Sequence, residues 1–349
     1  MCRGRPLLAA LAVCLLATTG RGADQAHARE IADMAGRTVT VGHIGRVWSA
    51  YPPVTYLVYA IDPSLLIGWT GPLSEDSKRY ISRPYRDLPV VGGWFGQRTP
   101  NLENLALAKP DVALVWDQSL AALPQMSDKL ESLHIPVAAV RLFRLDDYPP
   151  ALKFLGDLLD RKERAHRLSV YIEQTIVEMK QFSSRIPESR KLSVYYAIGP
   201  DGLKNDCDHM PFLDEAIELA GGHNAHHCRQ TSGSPPERID MEQLLLYNPD
   251  VIITQEDLFL SKVYVDPKYG MLKAVRNHRV YSVPKTPFNW LNYPPSFMRA
   301  IGLRWLAWKL YPELYSDNLE GETTRFFKLF LGVEISPGET RAILGQANP

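Results

Sequence analysis

Leu102-Glu103-Asn104-Leu105-Ala106-Leu107-Ala108-Lys109-Pro110-Asp111-Val112 and Met241-Glu242-Gln243-Leu244-Leu245-Leu246-Tyr247-Asn248-Pro249-Asp250-Val251 are two copies of one phrase. Each reads as a short amphipathic helix stopped by a proline. An Asp then turns the chain into an apolar strand, Val112 to Val115 in the first copy and Val251 to Thr254 in the second. One such unit is ordinary. Two of them, sharing the Glu and the Pro-Asp-Val, predict two similar α/β lobes in one chain with a space between them where a ligand binds.

The bulk properties agree. A chain of 349 residues with 45% hydrophobic content is long enough for two lobes, each with its own core. Lys plus Arg and Asp plus Glu are both 39, and no basic run stands out, so nucleic acid is excluded as the expected partner. At the N-terminus, Arg3 and Arg5 precede the apolar run Leu7 to Ala17 and the small-residue stretch Ala26-His27-Ala28, the pattern of a secretory signal peptide cleaved near Ala28. No later segment is apolar for long enough to span a bilayer, so the mature chain is expected to be a soluble periplasmic protein. Leu11-Ala12-Val13-Cys14 is a poor lipoprotein box, because Val13 is bulky and the apolar run continues past the cysteine, so lipid anchoring is the lesser alternative. With Cys2 and Cys14 removed, Cys207 and Cys228 remain, and export favours one disulfide between them, worth about 3 kcal/mol in the chain-entropy account.

Outward from the repeat, strands are expected at Arg37 to Val41, Gly45 to Trp48, Leu65 to Trp69 and Val137 to Val140, with helices at Val54 to Ala60, Ala121 to Leu133 and Asp146 to Leu159. Arg161 to Arg185 has no Gly or Pro. Its apolar residues Leu168, Tyr171, Ile172, Ile176, Met179 and Phe182 have the spacing of one continuous amphipathic helix, long enough to cross between lobes. Beyond it, Leu192 to Ala197 opens the second lobe, followed by helix Phe212 to Ala220, the second repeat, strand Arg279 to Val283 and helices Phe297 to Leu310 and Leu319 to Phe330. The predicted organisation is signal peptide 1–28, N-terminal lobe 29–160, interlobe helix 161–187 and C-terminal lobe 188–349. The fold class is α/β: two Rossmann-like lobes with mainly parallel sheets, joined by one long rigid helix, with the ligand cleft between them.

In this order and spacing, the landmarks Asp33-x-x-Gly36-Arg37, Val91-Gly92-Gly93-Trp94, Asn101-Leu102-Glu103, Lys109-Pro110-Asp111-Val112, the long helix, Ala220-Gly221-Gly222-His223-Asn224, Asn248-Pro249-Asp250-Val251, Ala274 to Tyr281 and Pro294-Pro295-Ser296 resemble one family. It comprises the solute-binding proteins of ABC importers for iron-siderophore complexes, cobalamin and related metal chelates. The resemblance runs from about Asp33 to Phe330. It implies a monomeric carrier without catalysis and without a cofactor of its own, which holds a small-molecule metal chelate and delivers it to a membrane permease with its ATPase. It also implies that a surface carboxylate on each lobe docks onto the permease, at the positions of Glu103 and Glu242. Both lie on the first turn of a repeat helix, where the helix dipole alone would favour an acid, so the simpler reading stays open.

Ligands of open parallel sheets bind beyond the carboxyl ends of strands. The loops expected there carry Tyr51, Trp94 with Phe95, Trp116, Tyr195 with Tyr196, His209, Gln255 with Glu256, and Asn289, Trp290 and Tyr293. Trp94, Trp116 and Trp290 are three of only seven tryptophans, and wide aromatic faces suit a large, flat or apolar ligand; any one of them is alternatively a core residue. His209, His226 and His227 lie close in sequence to both mature cysteines, so direct coordination of a bare Ni, Zn or Mn ion is the alternative ligand class, weighed against a disulfide with solvated histidines. Arg83, Arg86, Arg98 and Lys204 are weaker candidates to meet an anionic chelate. A metal-dependent enzyme of the same architecture is the rival from another class. The chain has no G-x-x-x-x-G-K-[ST], G-x-S-x-G, H-E-x-x-H or G-x-G-x-x-G, which favours binding over catalysis.

Overall fold

The apolar strand of each repeat runs through the middle of its own parallel sheet. The computed structural model describes residues 28–94, 100–117, 128–205, 211–226, 237–291 and 294–345. The first lobe opens with the antiparallel hairpin β1 (Arg29–Ala32) and β2 (Thr38–Val41), followed by β3 (Val47–Ser49) and α1 (Pro52–Ile61). Two single turns, α2 (Glu75–Lys78) and α3 (Arg83–Arg86), lead to α4 (Leu102–Ala108), β4 (Val112–Trp116), β5 (Val137–Val140) and α5 (Tyr148–Leu158). The sheet order is β3-β4-β5, all parallel. The 23-residue helix α6 (Lys162–Ser184) crosses to the second lobe, and all six of its predicted apolar positions are buried.

The second lobe contains β6 (Ser193–Ala197), β7 (Lys204–Asn205), α7 (Pro211–Leu219), β8 (His223–Asn224), β9 (Glu237–Arg238), α8 (Met241–Tyr247), β10 (Val251–Thr254), α9 (Asp257–Lys262), α10 (Lys273–Arg276) and β11 (Val280–Ser282). Its main sheet has the order β11-β10-β6-β8, again parallel. Every residue of β4 and of β10 is buried, which is why both read as unbroken apolar runs: helices cover the two faces of a parallel sheet.

The repeat is one device built twice. Asn101 caps α4 by accepting the Asn104 N–H at 3.0 Å, and Asp240 caps α8 by accepting the Gln243 N–H at 2.7 Å. Lys109 and Asn248 end the two helices in the left-handed region, at φ 46° and 38°, and the following prolines prevent continuation. The Asp111 carboxylate then accepts the Gly45 and Arg46 N–H groups, both at 2.8 Å, while Asp250 accepts the Ser193 N–H at 2.9 Å. Each Asp thus ties the start of its own strand to the residues that start the neighbouring one. At the opening motif, Asp33 accepts from Ala35 and Arg37 within its turn and from the Ala139 N–H of β5, fastening the hairpin to the sheet.

Three departures from expectation have local causes. Leu65 to Trp69 makes only isolated bridges, Val47 to Leu66 and Trp69 to Val90, because Pro63–Leu65 is already a tight helical turn. Of the helix expected at Ala121 to Leu133, residues 128–131 are helical and 118–127 lie outside the described residues. After α11 (Arg299–Leu310), helix α12 (Leu319–Phe326) and the wider π turn Phe327–Leu331 pack back on the first lobe: Phe327 meets Tyr80 at 5.5 Å, and the Tyr59 hydroxyl donates to the Leu331 carbonyl at 3.2 Å. By chain order these last helices fall within 188–349; by packing they cover α1. A final helix, α13 (Pro337–Ile343), follows. No described helix is long and apolar enough to cross a membrane.

Candidate functional site

The carboxyl ends of the two sheets are brought together by an aromatic stack. Tyr56, midway along α1, lies parallel to Phe288 at 3.7 Å with 15° between the rings. Helix α1 leaves the carboxyl end of β3, and Phe288 lies in the segment leaving β11, so the stack joins the two edges at which a ligand of open α/β sheets is expected. Burial pushes the Tyr56 hydroxyl well above its ordinary pKa, so it stays neutral.

On the first-lobe side an aromatic cluster stands at the carboxyl edge, with Tyr51 and Trp116 buried in the core and Trp94 half-buried. Tyr51, directly after β3, stacks on Trp116, the last residue of β4, at 4.0 Å and 27°. Trp94 packs edge-on against Trp48 at 5.4 Å and 71°, and its backbone N–H donates to the Ala50 carbonyl at 2.8 Å. That approach requires Gly93, where any Cβ would lie 2.4 Å from the Ala50 oxygen. Trp116 and Val140 are partners on adjacent strands, so Asp117 and Arg141 emerge abreast, and the Arg141 Nη2 donates to Asp117 Oδ2 at 2.8 Å. The carboxylate is buried and the guanidinium half-exposed, leaving a cation at the rim held by a sheltered anion. Among the described residues, Asp117 Oδ1 and the Trp116 indole N–H have no hydrogen-bond partner.

On the second-lobe side the edge is polar, with Tyr196 and Asn289 buried and Gln255 half-buried. Gln255, first after β10, accepts on Oε1 from Asn289 Nδ2 at 2.8 Å and from the Tyr196 hydroxyl at 3.3 Å. Asn289 Oδ1 in turn accepts the Leu291 N–H at 2.9 Å. Two donors on one oxygen fix the amide, so the Gln255 NH₂ group is a donor of set direction. Lys285 bridges the Gln255 carbonyl and the Asp257 carboxylate, at 3.3 and 2.7 Å.

The structure therefore groups Tyr51, Trp94 and Trp116 on one side and joins Tyr196 and Asn289 through Gln255 on the other. Glu256 is half-buried beside that hub, its N–H on the Thr254 hydroxyl, and its carboxylate is not part of the described network. Two expectations are corrected. Trp290 is completely buried, with its indole N–H already donating to the Thr286 carbonyl at 2.9 Å, and is a core residue. Tyr195 is turned by strand alternation to the opposite face from Tyr196, where its hydroxyl donates to the Gly202 carbonyl at 2.8 Å within a core containing Phe259 and Tyr269.

His226 is likewise buried, with Nδ1 on the Tyr247 hydroxyl at 3.0 Å, as a packed histidine is. Among the described residues no three of His, Cys, Asp and Glu come together as a metal site. Phe95, Arg98, Cys207, His209, His227, Cys228 and Tyr293 lie outside the described residues. Arg83 and Arg86 belong to α3, with Arg86 donating to the Ile81 carbonyl, and Lys204 lies exposed on β7. Glu103 and Glu242 are exposed on the first turns of α4 and α8. Sequence reading missed Arg141, and of the neighbouring pair Gln255 and Glu256 it is Gln255 that the structure joins to the network. The available signal was position: each is the first residue beyond a buried strand.

The sequence profile of the periplasmic binding protein family matches residues 74–287. Among solved structures, an ABC transporter solute binding protein from Sulfurospirillum deleyianum DSM 6946 is 37% identical, with 90% of this chain and 98% of that one covered and a TM-score of 0.83. Among curated relatives, the molybdate-binding protein MolA of Haemophilus influenzae is 20% identical over 88% of this chain and 92% of its own length. The vitamin B12-binding protein of Vibrio cholerae is 23% identical over 56% of this chain and 67% of its own.

Proposed function

Because the chain belongs to the periplasmic binding protein family, we propose that it is the solute-binding component of an ABC importer, capturing a metal chelate of the iron-siderophore or cobalamin kind between its lobes. It hands that solute to a membrane permease served by an ATPase, and acts as a carrier rather than an enzyme. The observation that carries the ligand class is the asymmetry of the two walls. An aromatic cluster of buried Tyr51 and Trp116 with half-buried Trp94 stands at the carboxyl edge of one lobe, and an oriented amide at that of the other. A broad, partly apolar guest with a few peripheral acceptors fits that combination. The likeness to a vitamin B12-binding protein supports it. We further propose export to the periplasm through the cleaved leader, and a disulfide between Cys207 and Cys228.

A second reading, a small oxyanion, is favoured by the likeness to MolA and by the cation of Arg141 at the rim. One experiment separates the two. Purified mature protein is titrated with ferric catecholate and hydroxamate siderophores, cyanocobalamin, molybdate, and Ni²⁺, Zn²⁺ and Mn²⁺ salts, with tryptophan fluorescence and thermal midpoint as readouts. A chelate is expected to quench with 1:1 stoichiometry and raise the midpoint. A response to molybdate or to a simple metal salt alone overturns the chelate reading.

A further inference from the structure

The two repeat helices share a feature that neither the cleft nor the core uses. Leu105 and Leu244 point inward and are 1% and 0% exposed. Two residues on, at the matching positions of the two copies, Leu107 and Leu246 are 80% and 78% exposed. A single exposed leucine is unremarkable. The same residue left bare at the same position of both copies is a pattern, and the surrounding fold supplies no reason for it, because neither side chain contributes to a core cluster.

Each leucine follows an exposed carboxylate by four residues, Glu103 before Leu107 and Glu242 before Leu246, which places acid and leucine on one helical face. Among the described residues no ion pair holds either carboxylate. The two lobes thus present two like patches, each a free anion beside a bare apolar side chain. A partner that uses both patches must offer two like pockets, apolar at the floor and basic at the edge. A lipid surface has no such pockets.

We infer that Leu107 and Leu246 are a pair of apolar anchors that seat in equivalent pockets of the two halves of the importer's permease, one per lobe. This rests on the importer reading and extends it. The acids draw the partner in and set orientation, and the leucines supply the desolvated contact that slows release.

The test compares wild type with Leu107→Gln, Leu246→Gln and the double variant; Gln keeps helix propensity and the exposed positions keep the fold. Binding to the permease–ATPase complex of the same organism, reconstituted in nanodiscs, is measured together with stimulation of ATP hydrolysis. Each single change is expected to weaken the complex roughly tenfold and the double roughly a hundredfold, with the thermal midpoint unchanged. Unaltered affinity of the double variant overturns the inference while leaving the importer reading standing. Failure of wild type itself to bind the complex removes the importer reading. A wild-type dimer in sedimentation that the double variant loses assigns the patches to a second copy of this chain, which also overturns it.

Discussion

Glu215 joins the two lobes, and replacing it tests whether a buried charge there organises the cleft. Its Oε2 accepts the Leu145 N–H at 2.9 Å and the Arg299 Nη2 at 3.0 Å, while Oε1 meets the Arg144 Nη2 at 3.2 Å. Leu145 leads into α5 of the first lobe, Glu215 lies on α7 and Arg299 starts α11, so three elements from both ends of the chain meet on one carboxylate. The Arg299 and Glu215 side chains are 1% and 5% exposed, whereas that of Arg144 is 52% exposed. The Arg144 contact is therefore worth well under about 1 kcal/mol. The Arg299 contact is different, because both side chains are buried and Glu215→Leu removes the carboxylate that neutralises the guanidinium, at a cost of about 3–5 kcal/mol. Arg299→Met leaves Glu215 with the Leu145 N–H and Arg144, and is expected to cost less, about 2–3 kcal/mol. The double variant removes both charges together, so it should lie within about 1–2 kcal/mol of wild type. Urea unfolding of the four proteins at neutral pH closes the cycle, and the singles should overshoot the double by more than about 2 kcal/mol. Additive losses would show that Arg299 is satisfied without Glu215, and would refute the account of the pair as the tie between lobes.

Three further outcomes follow from single groups. Glu103→Ala with Glu242→Ala is expected to leave solute affinity intact and abolish uptake by whole cells; a loss of affinity would place these acids in the cleft instead. Gln255→Glu keeps an acceptor for Asn289 and Tyr196 but removes the fixed NH₂ donor, so an anionic chelate should bind at least about tenfold more weakly at an unchanged thermal midpoint, as isothermal titration would show. Burial lowers the Lys309 pKa from 10.5 to about 8. The unfolded chain then holds more protons on this residue than the native one between those values, so stability should rise with pH across that window. The ring faces of Trp308 and Tyr281, 4.3 and 5.1 Å from the ammonium, offset part of the effect, leaving on the order of 1 kcal/mol. Lys309→Met should flatten this slope in urea unfolding at pH 7.5 and 10, and an unchanged slope would assign it to other groups.

The elements that were legible in the sequence are those whose pattern has one physical solution. Val137 to Val140 is a strand of the predicted extent, and the Gly- and Pro-free stretch after Arg161 is one helix, because apolar spacing and chain breakers settle both locally. The site was legible in outline only. Trp116 and Trp290 are both buried, yet one ends a strand against Tyr51 at the carboxyl edge and the other is enclosed by the returning C-terminal helices. That difference is decided by residues 327–331 folding back on the first lobe, a long-range event that no local window contains. Tyr195 and Tyr196 show the complementary limit: alternation guarantees that adjacent residues face opposite ways, but which of them faces the cleft depends on the register with β10. Which of Gln255 and Glu256 is held in place was hidden, because that comes from Asn289 and Tyr196, which reach Gln255 from two other segments.

On the importer reading, the duplicated unit also sets where the proposed docking acids lie relative to the cleft. Strands β3 and β4 are parallel neighbours, so the chain between them must return from the carboxyl edge of the sheet to its amino edge before β4 begins. The segment at Trp94 is still at the carboxyl edge, held to Ala50, and α4 ends against the start of β4 through Lys109 and Asp111. Glu103, on the first turn of α4, therefore lies toward the edge that carries Tyr51 and Trp116. The same argument applies to β6, α8 and β10, and puts Glu242 toward the edge that carries Gln255. Both acids thus flank the mouth of the cleft rather than its back. A partner that grips one on each lobe covers the opening and is sensitive to the distance between the lobes, which the guest between them sets. On the importer reading, docking at these acids and release of the solute then share one edge of the fold.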